Sequence, residues 1–164
     1  MSGPVWQPLE DAAAQARLAT LLRVWEGTPY LAGSCAPGPR GGVDCVRFVV
    51  AVWNALAGLA VAPDAVAPAA AVHHPDRARA AFLALAARFP CDPVPDGAPL
   101  EPGDVLATGP VGGGPGHGVI VGDERRICWD ATYPAVRRIS LGLVALMGHE
   151  VHGAWRLTDR RWAR

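Results

Sequence analysis

A chain of 164 residues, 51% of them hydrophobic, can bury one substantial core and is too apolar to be disordered, so a single globular domain over 1–164, with its core over about 9–160, is the expected organisation. Its 15 basic residues, all arginine, balance 15 acidic ones, and this zero formal charge gives no electrostatic footing for nucleic acid. No apolar run is long enough to span a bilayer, and the first apolar stretch lacks the basic start and small-residue cleavage site of a secretory signal.

In chain order, residues 9–25 predict a helix with Leu18, Leu21, Leu22 and Trp25 on one face. A glycine-rich loop then gives way at Gly41-Gly42-Val43-Asp44-Cys45 to a long apolar segment. Val46, Phe48, Val49, Val50, Val52, Trp53, Leu56 and Leu59 recur there at the spacing of a buried helix that Gly58 can close. Cys45 falls in the first turn of that helix, where unpaired N–H groups and the positive end of the dipole favour a thiolate. The alternative is a small core cysteine behind a capping Asp44. Residues 61–75, rich in Ala and Pro, predict a linker, and a helix follows from Pro75 to about Phe89 with Phe82, Leu83 and Leu85 as core residues. The prolines of 90–102 predict a loop.

The remainder predicts strands at 104–108, 117–121, 126–131, 135–139 and 152–157, with a short helix at 140–147 before the last. Gly109 to Gly116, with five glycines and two prolines in eight positions, predicts a rim loop directly before His117. It lacks the Lys-Ser/Thr and the strand-to-helix setting of a phosphate-binding loop. His117 stands at the mouth of a β-branched strand, and the return strand of the following hairpin brings Asp130 beside it. A carboxylate there would fix the imidazole's tautomer and stabilise its protonated form, completing a nucleophile, base and acid in the order Cys45, His117, Asp130. Alone, a histidine among glycines reads as a turn residue.

The four cysteines, Cys35, Cys45, Cys91 and Cys128, contain no CxxC pair and combine with the histidines into no zinc spacing. In His149-Glu150-Val151-His152 the histidines are three apart rather than the four of a helical HExxH site. No metal and no cofactor is called for.

Four segments together resemble the NlpC/P60 family of papain-like cysteine peptidases: Trp25-Glu26-Gly27-Thr28-Pro29-Tyr30, Gly42-Val43-Asp44-Cys45, Leu100-Glu101-Pro102-Gly103-Asp104-Val105-Leu106 and Gly116-His117-Gly118-Val119-Ile120-Val121-Gly122. They stand in the family's order and cover roughly residues 20–160. Within the family the chain looks closest to the cell-wall peptidases encoded with phage tails and gene-transfer agents. Those carry Trp-His-Ala on the second strand, where this chain has Trp129-Asp130-Ala131.

The resemblance implies an α+β papain-like fold, with N-terminal helices packed on a central antiparallel sheet formed by the five strands above. It implies Cys45 as nucleophile, His117 as base, Asp130 as the orienting group in place of the usual His, Asn or Gln, and Tyr30 as an aid to the oxyanion. Tyr30 also reads as a core tyrosine with its hydroxyl satisfied. After the cysteine many relatives have Ser-Gly; here Val46-Arg47 stands instead. Arg47 would receive a substrate carboxylate or lie solvated on the helix's outer face, and Asp44 would cap the helix or meet a substrate amine.

The implied function is hydrolysis of a peptidoglycan stem peptide between D-glutamate and a diamino acid, with phage-like tail hub or tip proteins as partners. Lacking an export signal, such an enzyme would be made in the cytoplasm and delivered in a particle or by lysis. The alternatives are a structural tail-hub protein of the same fold without the chemistry, and an acyltransferase or amidase using the same three residues.

Overall fold

The computed structural model describes residues 7–66, 75–124 and 126–158, with the side chains of 75–78 left out. The expected linker beyond residue 66, His73 and His74, and the tail after residue 158 lie outside the described residues.

The chain folds as α+β. Helix α1 (Ala12–Arg23) starts at Asp11, whose carboxylate accepts the Ala13 N–H and so satisfies one orphan donor of the first turn. Strands β1 (Cys35–Ala36) and β2 (Gly42–Val43) form a small antiparallel hairpin in the loop before Cys45, a pairing that two-residue strands do not announce in sequence. Helix α2 (Cys45–Ala57) begins at Cys45 itself, is capped by Asp44, and ends at Gly58 in the left-handed region, φ 65°. Leu59 lies past that cap and is therefore exposed rather than core. A 3-10 turn at Pro63–Ala65 follows, then α3 (Pro75–Arg88). Phe82 and Leu85 of α3 and Phe89 just past its end share the buried face, whereas Leu83 is rotated about 100° from Phe82 and is 61% exposed, which corrects its expected place in the core.

Strands β3 (Cys91–Pro93), β4 (Val105–Pro110), β5 (His117–Val121), β6 (Ile127–Ala131), β7 (Val136–Ser140) and β8 (His149–Leu157) form one antiparallel sheet in the order β3-β8-β4-β5-β6-β7, and α4 (Leu141–Leu146) joins β7 to β8 along the chain. The sheet thus has six strands rather than five. The additional one, β3, lies in the proline-rich stretch expected to be loop; Pro93 has no N–H to donate to a ladder, and the sheet edge is where a strand tolerates that.

Alternation along the strands divides the core. Val105, Ala107, Ile120, Trp129 and Ala131 pack against α1, α2 and α3, while Leu106, Val119, Val121 and Cys128 face α4 on the other side. Gly118 lets α2 and α3 approach β5 closely: a Cβ there would sit 3.2 Å from the Phe82 ring and 3.5 Å from Val49. The Trp53 indole N–H donates to the Gly103 carbonyl at 3.0 Å and ties α2 to the turn before β4.

Candidate active site

The cap of α2 fixes the position of Cys45. Asp44 is fully buried: its Oδ1 accepts the Arg47 N–H at 2.9 Å, and its Oδ2 accepts the Gly33 N–H at 2.9 Å and the Arg47 guanidinium at 2.8 Å. Arg47 is 3% exposed and spends its other terminal nitrogen on Asp64. The expectation that Arg47 receives a substrate carboxylate, or lies on a solvated face, is therefore corrected. Three residues after the cap, it is placed to fold back on Asp44. Asp44 takes the capping role of its two readings, with no surface left for a substrate amine.

A strap over residues 27–31 joins this helix start to the far side of the sheet. On one side Val43 N–H donates to the Pro29 carbonyl at 3.0 Å and Leu31 N–H to the Val43 carbonyl at 3.1 Å. On the other, Gly27 N–H donates to Val136 and Tyr30 N–H to Pro134, each at 2.9 Å. Buried Thr28 accepts the Gly38 N–H on its hydroxyl. Extended backbone with a donor or acceptor used on both edges is what gives Gly-Thr-Pro-Tyr a fixed place between α2 and β7.

Tyr30, Cys45, His117, Asp130 and Arg137 line a common cleft of about 380 Å³, closed on its other sides by Ile139, Val144, Met147 and His149. His117 and Asp130 meet because β5 and β6 pair with Val119 opposite Asp130, which makes His117 the diagonal neighbour on the same face. His117 Nε2 hydrogen-bonds Asp130 Oδ1. Cys45 lines the same cleft, close enough to the ring for its charge to act on it. Burial works against the imidazolium, but the Cys45 charge and the hydrogen bonds from Asp130 and Cys45 outweigh it and raise the His117 pKa to about 10. Burial, with the Cys45 and Asp44 charges beside it, pushes Tyr30 up to about 12, so its hydroxyl stays a donor across the working pH range.

The residues expected at Cys45, His117, Asp130 and Tyr30 are thus assembled at one place. An imidazole held between a thiol and a buried carboxylate can take the thiol's proton and keep it. The sequence reading missed Arg137, the cross-strand partner of Asp130 on β7, whose Nε lies 3.9 Å from Asp130 Oδ2. Only the β6–β7 register reveals that pairing.

The remaining cysteines are unpaired and stand apart from this chemistry: burial pushes the thiols of Cys91 and Cys128 up to about 11 and about 12, and raises that of Cys35. Two larger hollows, of about 560 and 590 Å³, lie beside β8, and neither is lined by Cys45, His117 or Asp130. Among the described residues no group of three or more His, Cys, Asp or Glu side chains is placed to hold a metal ion, and no helix is long and apolar enough to cross a membrane.

No protein-family model matches the chain, and no curated protein matches it in sequence.

Proposed function

We propose that the protein is a cysteine peptidase of the papain-like NlpC/P60 type that hydrolyses peptidoglycan stem peptides. The observation that carries this reading is that one open cleft holds Cys45 at its helix start together with a His117 ring hydrogen-bonded to buried Asp130. His117 takes the Cys45 proton, and the thiolate attacks the scissile carbonyl while the Tyr30 hydroxyl donates to the developing oxyanion. Collapse of the tetrahedral species breaks the C–N bond, and His117 returns the proton to the leaving amine. Water, deprotonated by His117, then cleaves the thioester and frees the acid. Asp130 holds the ring and offsets the imidazolium charge throughout. The bond, D-glutamate to a diamino acid, and the setting in a phage-like tail rest on the motif order alone.

The test is the rate of Cys45 alkylation by iodoacetamide against pH, in the wild type and in His117→Ala. Fast alkylation maintained at pH 6 and lost in His117→Ala supports the pair. A rate that follows an ordinary thiol and ignores His117 overturns it and leaves a scaffold protein of the same fold. Cys45→Ala should then abolish release of products from purified wall peptides with the fold intact, and product analysis separates hydrolysis from transfer to another acceptor.

A further inference from the structure

In the charge-separated state, the thiolate, the imidazolium and the Asp130 carboxylate sum to one negative charge inside the cleft, a field that repels an anionic acyl donor. Arg137 offsets it. Its side chain is 47% exposed and lines the cleft that holds Cys45. Its Nε faces Asp130 Oδ2 at 3.9 Å, beyond hydrogen-bond reach, and Asp130 commits its other oxygen to His117. Asp130 is the one acidic residue lining the cleft among the described residues, and its approach is to Nε, so no carboxylate of the lining pairs with the terminal nitrogens of Arg137. Its neighbour Arg138 is different: it faces away, paired with Glu26 and Glu124. A half-exposed guanidinium with free, forked donors beside a reacting centre has the geometry that receives a carboxylate through two parallel hydrogen bonds.

We infer that Arg137 is the anion receptor of this cleft, selecting acyl donors that carry a free carboxylate close to the scissile carbonyl. The inference rests on the proposed reading of Cys45 as the reacting atom, and it places in β7 the carboxylate-binding role that α2 cannot supply through the buried Arg47.

The test uses two alkylating reagents of similar shape and different charge, iodoacetate and iodoacetamide, on the full chain, with labelling at Cys45 resolved from exposed Cys35 by peptide mass spectrometry. Any change in the thiolate population affects both reagents alike, so the ratio of their rates at Cys45 reads the local receptor. Arg137→Gln should lower the iodoacetate-to-iodoacetamide ratio about tenfold, the lower end of what focused charge does to approach rates in a cleft. Arg137→Lys should keep most of the ratio, and Arg138→Gln and the ratio at Cys35 should stay within about twofold of wild type. An unchanged ratio in Arg137→Gln, or an equal fall in Arg138→Gln, overturns the inference. The pH profile with iodoacetamide alone judges the Cys45–His117 pair, so failure of one reading is distinguishable from failure of the other. With wall peptides, Arg137→Gln should raise KM for the free-carboxylate form and leave its amidated counterpart unchanged.

Discussion

The proton on His117 is held by its neighbours. With its pKa raised from 6.5 to about 10 by the Cys45 charge and the hydrogen bonds of Asp130 and Cys45 against the opposing effect of burial, the imidazolium is more stable in the folded chain than in the unfolded one. The sign follows: this stabilisation is complete below about pH 6.5, declines above it, and is gone as pH rises through 10. Replacing Asp130 by Asn keeps the shape and removes the charge, so the alkaline limb of hydrolysis, where His117 loses the proton the leaving amine needs, should move to lower pH. The gap in urea midpoint between wild type and Asp130→Asn should be widest near pH 6 and close toward pH 10; a gap constant over that range would mean that the carboxylate acts by packing alone. Cys45, His117 and Asp130 were legible because each sits where sequence marks a boundary, at a helix start, a strand mouth and a hairpin return. Arg47 was misread because proximity in sequence to the nucleophile says nothing of which way a first-turn side chain folds, and here a buried cap acid three residues earlier draws it inward.

Elements bounded by strong punctuation could be read from the sequence closely. The β-branched run of β5 between Gly116 and Gly122 and the Ser140-capped α4 fall where the pattern puts them. Elements whose existence depends on a distant partner could not: β3 pairs with β8 across more than sixty intervening positions, Cys91 opposite Leu157, and nothing local distinguishes it from loop. The β4–β5 turn shows the same division within eight residues. A Cβ at Gly109 would lie 2.1 Å from the backbone carbonyl of Gly114, whereas one at Gly114 meets nothing within 4 Å. Gly109→Ala should therefore cost about 1–3 kcal/mol in urea unfolding, because backbone rather than a side-chain tip must move. Gly114→Ala should stay within about 0.5 kcal/mol of wild type. Because Gly116 donates to the Thr108 carbonyl at 2.8 Å immediately before His117, the Gly109 variant should also slow Cys45 alkylation, while the Gly114 variant leaves it unchanged.

The assembled cleft straddles the two sides of the sheet. His117 shares the face of Val119 and Val121, the side covered by α4, whereas α2, which carries Cys45, packs on the opposite face through Phe48, Val49 and Trp53. The thiol and the ring therefore meet only because α2 lies at a set depth on β5, against Gly118, and because the strap over residues 27–31 joins the helix start to the β7 edge. Their alignment is a property of one core and not of the other. Val49→Ala and Val121→Ala remove the same two methyl groups from side chains that are 2% and 0% exposed, one in the cluster under α2 and one in the cluster under α4. Each should cost about 2 kcal/mol in urea unfolding. Only Val49→Ala should weaken the dependence of Cys45 alkylation on His117, because only there does the cavity let the helix shift against the strand that carries the base. Equal loss of that dependence in both variants would mean that the pair is set by overall stability; loss in Val49→Ala alone would locate the control of the chemistry in the α2–β5 contact.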